Sequence, residues 1–408
     1  MEDHIEKRIF FTAFIIRLIM LIIIICIPND GKKAFKAPDI YYDDFRYEEG
    51  ASLYSIAASK AIDYDAFTEA YISVDDWIGY NFVKNPFIHT PLWYWFVCVL
   101  MYWTKSYISI RIANIVFASI AVIYVYKFTE INWGIEVASR ATKMLTFLPY
   151  PIIFSCFGYK DQFIMMSTFF LLYHACLYRD TQEISLREIV LVLVMGICTL
   201  FTRGGLSAIL FAICMVIAFG GRISFEFSVK SLILQLIVFL MVFLAFIKSI
   251  DTIIYKINYY LERHASTSGQ GSGIAFVTIA GLKDIYKLPL AYLFSIIMPI
   301  NLFDGITSWY DVVSNLNILM TPIAVGAGAY FFVRKQANSI YIMCLIYYLI
   351  CIIASINNFR HYYSLSPLSL IFFSDYIETK QFNGRIIVTF GALVYSAALL
   401  LFYFMKHF

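Results

Sequence analysis

Apolar runs long enough to cross a hydrocarbon core about 30 Å thick recur from one end of this chain to the other. In lipid, a spanning segment must satisfy its backbone polar groups as a helix or a closed barrel. The runs are continuous and do not alternate as barrel strands do, so the expected fold is an all-α polytopic membrane protein. Composition agrees. Only 14% of the residues are charged and 61% are hydrophobic, whereas soluble domains carry about a quarter charged residues.

Lys and Arg favour the cytoplasmic side of short loops. Six segments carry at least two each: Lys7/Arg8, Lys127/Arg140/Lys143, Arg179/Arg187, Arg222/Lys230, Arg334/Lys335 and Lys380/Arg385. Placing all six inside predicts eleven spans, near 9–27, 109–127, 141–158, 163–178, 188–203, 205–221, 230–249, 312–333, 339–356, 362–377 and 386–404. The N-terminus is then inside and the C-terminus outside. The first run lacks a small-residue cleavage site, which reads as a retained helix. Pro91 to Trp103 is too short to span and rich in Trp and Tyr, so it is expected as an interfacial helix. Leu288 to Phe303 is expected to be interfacial or re-entrant.

The chain reads as a single integral membrane domain, 1–408, with outer loops over about 28–108 and 250–311. The second loop contains Ala265 to Gly273, "ASTSGQGSG", a flexible linker suited to a lid. A net charge of +3 gives no argument for nucleic acid. The eight cysteines lie nearly all within apolar runs without metal-ligand spacing, and neither disulfides nor a zinc site are expected.

Charged groups at membrane depth are costly, and each is a functional hypothesis. Asp161 follows the third span, Arg203 ends the fifth, Arg111 opens the second, and Arg360-His361-Tyr362 opens the tenth. With Asp43, Asp44, Arg46 and His89, they are predicted to converge on the outer face. Plainer roles exist: Arg111 and Arg360 suit snorkelling anchors, Asp161 beside Lys160 suits a local ion pair, and Glu48, Glu49, Asp75 and Asp76 suit loop solvation. His174 reads as structural.

These residues fall in segments whose pattern resembles the polyprenyl-phosphate-dependent glycosyltransferases of the GT-C fold, in particular the protein O-mannosyltransferases and lipid A aminoarabinose transferases. Asp43-Asp44-Phe45-Arg46-Tyr47 is similar to the family's acidic pair outside the first helix. "HTPLWYW" (89–95), "SIRIANIVFAS" (109–119), "FGYKDQF" (157–163), "LFTRGGLSA" (200–208) and "FRHYYSLSP" (359–367) resemble further family segments in order. The acidic pair is Asp-Asp where the family has Asp-Glu, His89 stands where some relatives carry a carboxylate, and Arg203 replaces a lysine found in some. About 220–350 matches nothing in the pattern.

The resemblance implies a GT-C membrane fold and transfer of a sugar from a polyprenyl-phosphate donor to a hydroxyl of a lipid, glycan or protein acceptor. It implies Asp43 as the catalytic carboxylate, in reach to act as general base. Arg203, with Arg360 second, suits the departing phosphate because its planar fork binds two oxygens. Asp44 and Asp161 would orient a substrate or, with His89, hold a divalent cation; such a donor set suits Mg²⁺, Mn²⁺ or Zn²⁺ alike. Arg46, Tyr47, His89, Arg111, Lys160, His361 and Tyr362 complete the expected substrate-binding set. The expected setting is a bacterial inner membrane, with the site facing the periplasm. Two other classes fit the composition: an envelope oligosaccharide polymerase or ligase centred on the arginines, and a transporter, in which midplane charges dominate.

Overall fold

The computed structural model describes residues 2–26, 91–104, 106, 108–203, 205–219, 286, 323, 340, 342–344, 346–347, 363–379 and 397. The helices are α1 (Glu2–Cys26), α2 (Pro91–Thr104), α3 (Ile108–Trp133), α4 (Ile135–Phe147), α5 (Pro149–Phe154), α6 (Asp161–Thr181), α7 (Leu186–Arg203), α8 (Gly205–Phe219) and, after a 3₁₀ turn at Tyr363–Leu365, α9 (Ser366–Thr379). The described part is therefore all-helical. Two of its helices, His4–Cys26 and Ile108–Trp133, are long and apolar enough to cross a membrane. The expected spans at 230–249 and 386–404, the segment 288–303 and the linker 265–273 lie outside the described residues, apart from isolated positions. The same holds for most of 312–333 and 339–356.

The chain forms two compact units, Met1–Tyr124 with Ile153–Ile253, and Val125–Ile152 with Ile254–Phe408. In the first, α6 packs on α7 and α8, and α7 packs on α8 and α2. The four-residue connection 182–185 makes α6 and α7 an antiparallel hairpin. Gln182 closes α6 in the left-handed region at φ 55°, its amide N–H donating to Tyr178 O at 2.9 Å. Ser185 and Glu188 then open α7 with reciprocal bonds, Ser185 N–H to Glu188 Oε2 at 2.8 Å and Glu188 N–H to Ser185 Oγ at 3.2 Å. In the last turn of α6 the Arg179 guanidinium donates to both Asp180 oxygens and holds that carboxyl below its usual range.

Polarity runs inside-out on these helices. On α7, Gly196, Thr199, Thr202 and Arg203 are buried, while Leu186, Val190, Leu191, Val194 and Ile197 are exposed. On α1, Ala13, Arg17, Leu21 and Ile24 form the buried stripe, and Phe11, Ile15, Ile19 and Ile22 face outward. A water-soluble helix would show the reverse. This surface suits hydrocarbon, as in a helical membrane protein.

In the second unit, α9 packs on α4. Arg140 Nη1 donates to Ser374 O at 3.1 Å, and its Nη2 meets Glu378 Oε2 at 2.8 Å. The expected single span over 141–158 is corrected here: it is two short helices, α4 and α5. Pro149 disfavours helical geometry in the residue before it, and Leu148 is extended at φ −64°, ψ 134°. At the other end of α4, Gly134 sits at φ 87°, ψ 170° between α3 and α4, a backbone region open essentially only to glycine.

Candidate functional site

The turn between α5 and α6 is held by side chains from two other helices of the first unit. Asn114 Nδ2, from α3, donates to the carbonyls of Phe157 at 2.5 Å and Tyr159 at 2.8 Å. Trp93 Nε1, from α2, donates to the carbonyl between them, Gly158 O, at 3.2 Å. Three successive carbonyls are thus pinned, all in the buried interior. An aromatic cluster keeps the donors in place: Trp93 and Phe96 of α2 pack on Phe117 of α3, which meets Phe163 of α6 at 5.3 Å. Ser106 accepts a hydrogen bond from the Ile108 N–H at 3.3 Å, which helps to set the start of α3. Trp93, Asn114 and Phe117, and the stretch 157–163, far apart in sequence, therefore meet at one turn.

The charged groups follow from that turn. Asp161 is the first residue of α6 and is 5% exposed. Its place in the first helical turn complements the helix dipole, but a carboxylate serving that purpose alone has no need of burial. Lys160 beside it is half-buried. Arg111 lies one turn before Asn114 on α3 and is fully buried. It does not extend toward water as a snorkelling anchor would. Arg203 ends α7, so the antiparallel hairpin returns it to the end of α6 that carries Asp161, and it too is buried.

Arg17 was not foreseen from the sequence. It is the single charge inside the first apolar run, and it is fully buried in the stripe of α1. Its Nη1 donates to Ala13 O at 3.1 Å, and its carbonyl faces Cys156 Sγ at 3.6 Å, at the start of the pinned turn. The Cys156 thiol lies within electrostatic reach of both the Arg17 and the Arg111 guanidinium groups. The buried charged residues described in this unit are therefore three arginines and one aspartate. The signal that could have found Arg17 was its isolation among apolar neighbours.

Of the other expected site residues, Asp43, Asp44, Arg46, Tyr47, His89, Arg360, His361 and Tyr362 lie outside the described residues. Tyr363 of the late motif belongs to the second unit, where its ring meets Tyr150 edge-on at 5.9 Å. Among the described residues no group of three His, Cys, Asp or Glu side chains is gathered to hold a metal. Asp161 is the member of the expected donor set that falls among the described residues, and no step is derived through a metal. His174 packs against Phe170, Tyr173 and Tyr124. It also lines an apolar groove along α6, α7 and α8 with Tyr178, Leu193, Phe211 and Met215.

Comparison of the chain with protein-family models, curated proteins and solved structures returns no match.

Proposed function

We propose that this chain is a membrane glycosyltransferase of the GT-C type, with about eleven spans, working on a polyprenyl-phosphate sugar at the outer face of a bacterial inner membrane. The observation that carries this reading is the burial of Arg111, Arg203 and Arg17 around a pinned turn bearing Asp161. A guanidinium group can bind two phosphate oxygens through charge-assisted bonds, and a lipid phosphate is an anion that reaches this depth. The groove along α6, α7 and α8 offers an apolar tail a place to lie.

In the proposed reaction an acceptor hydroxyl oxygen attacks the anomeric carbon of the donor sugar. Its proton passes to the Asp43 carboxylate as the new carbon–oxygen bond forms. The bond from that carbon to the phosphate oxygen breaks, and its electron pair leaves with the polyprenyl phosphate. Arg203 meets the charge that develops there, a role in which one well-placed donor contributes about 2–4 kcal/mol. Asp161 orients a sugar or acceptor hydroxyl. This sequence of events calls for no nucleotide-sugar donor.

The test is sugar transfer from a polyprenyl-phosphate sugar in liposomes, with donor binding measured alongside. Asp43→Asn removes the base and should lower turnover by about 10²–10⁴-fold with donor binding intact. A normal rate in Asp43→Asn would sink the assignment. The excess of buried arginine favours a second reading, the envelope oligosaccharide polymerase or ligase. Retained activity after removal of both Asp43 and Asp44 would select it.

A further inference from the structure

The groove along α6, α7 and α8 lies toward the end of these helices remote from Asp161 and Arg203. Its near end is at Leu171, Gly196 and Phe211, about 9–15 Å along the three helices from Asp161, Arg203 and Gly205 at 1.5 Å per residue. Its far end, at Tyr178, Ile189 and Phe219, lies about 21–26 Å from the same three residues. There the rings of Tyr178 and Phe219 meet edge-on at 5.4 Å. None of the lining residues is Lys, Arg, Asp or Glu, so a charged headgroup finds no partner inside. The groove is also narrow, with a volume of about 110 Å³. A helix with its side chains is about 10–12 Å across, whereas an apolar cavity of about 150 Å³ takes a molecule the size of benzene. A single hydrocarbon chain fits that width and a partner's helix does not. Gly196 keeps the near end open. Glycine is a poor residue for a helix interior, yet it stands here within α7, where an added Cβ would meet the Phe211 ring at 3.8 Å. Alanine is therefore accommodated, and a longer side chain would enter the groove.

We propose that this groove reads the length of the donor's isoprenoid tail, with Gly196 as its entrance and the Tyr178–Phe219 ring pair as its stop. The inference rests on the reading of the chain as a polyprenyl-phosphate enzyme and adds which tails that enzyme distinguishes. A tail shorter than the distance from the charged end to Gly196 gains nothing from the groove. One that reaches the ring pair fills it, and any further length lies outside it. In detergent or lipid the tail starts from an apolar surrounding, so the gain comes from close packing along the groove and not from leaving water.

The experiment measures equilibrium binding of four isoprenoid monophosphates to the full chain in detergent. Their extended tails fall short of the groove, reach its middle, reach its far end and run beyond it. Wild-type affinity should rise over the first three by at least about tenfold, the scale expected for filling such a cavity, and then stay level. Gly196→Leu should abolish the rise and leave the shortest probe unchanged, while Gly196→Ala keeps it. Ala218→Phe obstructs the far half, since Ala218 lines the groove about 20 Å along α8 from Gly205. It should remove the last step of the rise and keep the first. Should Gly196→Leu fail to purify, Ala218→Phe decides alone by whether that last step is lost. Equal affinity for all four tails in wild type, or an unaltered length dependence in the obstructed variants, overturns the ruler and leaves the proposed enzyme standing. Affinity that keeps rising with the fourth tail overturns the stop. Displacement of the third probe by an equal concentration of a diacyl phospholipid would assign the groove to bulk lipid and also overturn it. A wild-type protein that binds none of the four would instead remove the polyprenyl-phosphate reading itself.

Discussion

Changing Asn114 to aspartate alters no heavy-atom shape, yet it removes the donor that holds the turn before α6. Asn114 Nδ2 supplies bonds at 2.5 and 2.8 Å to the Phe157 and Tyr159 carbonyls, all in a buried setting. Each buried bond lost without replacement costs about 1–3 kcal/mol, so the pair sets a loss of roughly 2–6 kcal/mol. An ionised carboxylate facing carbonyl oxygens adds repulsion, and Asn114→Asp should therefore exceed Asn114→Ala. Trp93→Phe is the internal control: it removes one bond, to Gly158 O at 3.2 Å, and keeps an aromatic ring in the cluster. That change should cost less, about 1–2 kcal/mol including lost packing. The assay is the midpoint of thermal unfolding in detergent, followed by tryptophan fluorescence. Because both side chains act on one turn, the double variant should be non-additive. An Asn114→Asp protein as stable as wild type, or additive effects of the two changes, would refute the claim that these bonds position Asp161.

Four further outcomes are expected. Gly134→Ala places a side chain in a backbone region essentially closed to it, with open space around the Cβ, so backbone strain alone should cost about 1–3 kcal/mol in the same melting assay. Ser185→Ala removes one half of the α7 capping box and should cost about 1 kcal/mol; Ser185→Thr should largely preserve stability. Arg203→Ala should lower sugar transfer by the equivalent of about 2–4 kcal/mol, with partial recovery in Arg203→Lys, and wild-type turnover would assign the phosphate to another cation. A cysteine at exposed Gln182 should react with an impermeant thiol reagent only after permeabilisation, whereas one at exposed Trp103 should react from outside; the opposite pattern would reverse the proposed orientation.

Several elements were legible in the linear chain for simple reasons. Continuous apolar runs bounded by basic residues gave α6, α7 and α8 nearly at their observed ends, whereas α1 begins well before the expected start at 9 and α3 runs on past the expected end at 127. The length and aromatic content of 91–103 marked α2 as too short to span. Arg111, Asp161 and Arg203 stood out because charge in such surroundings is rare. The break at Leu148 was also written in the chain, in Pro149 and Pro151, yet the apolar run across them masked it.

Only the tertiary structure decided which face of each helix is inside. A helix that is apolar nearly all round carries almost no periodic signal, so on α1 the burial of Ala13 and Leu21 and the exposure of Ile15 and Ile19 had no counterpart in the sequence pattern. It also turned Asp161 from a residue at a loop edge into a buried one, because donors forty and more positions earlier hold the preceding turn. Arg17 shows the same limit. Its charge was visible in the chain, but its burial and the contact of its carbonyl with Cys156 depended on a distant segment, and contacts of that range are set by packing rather than by local sequence.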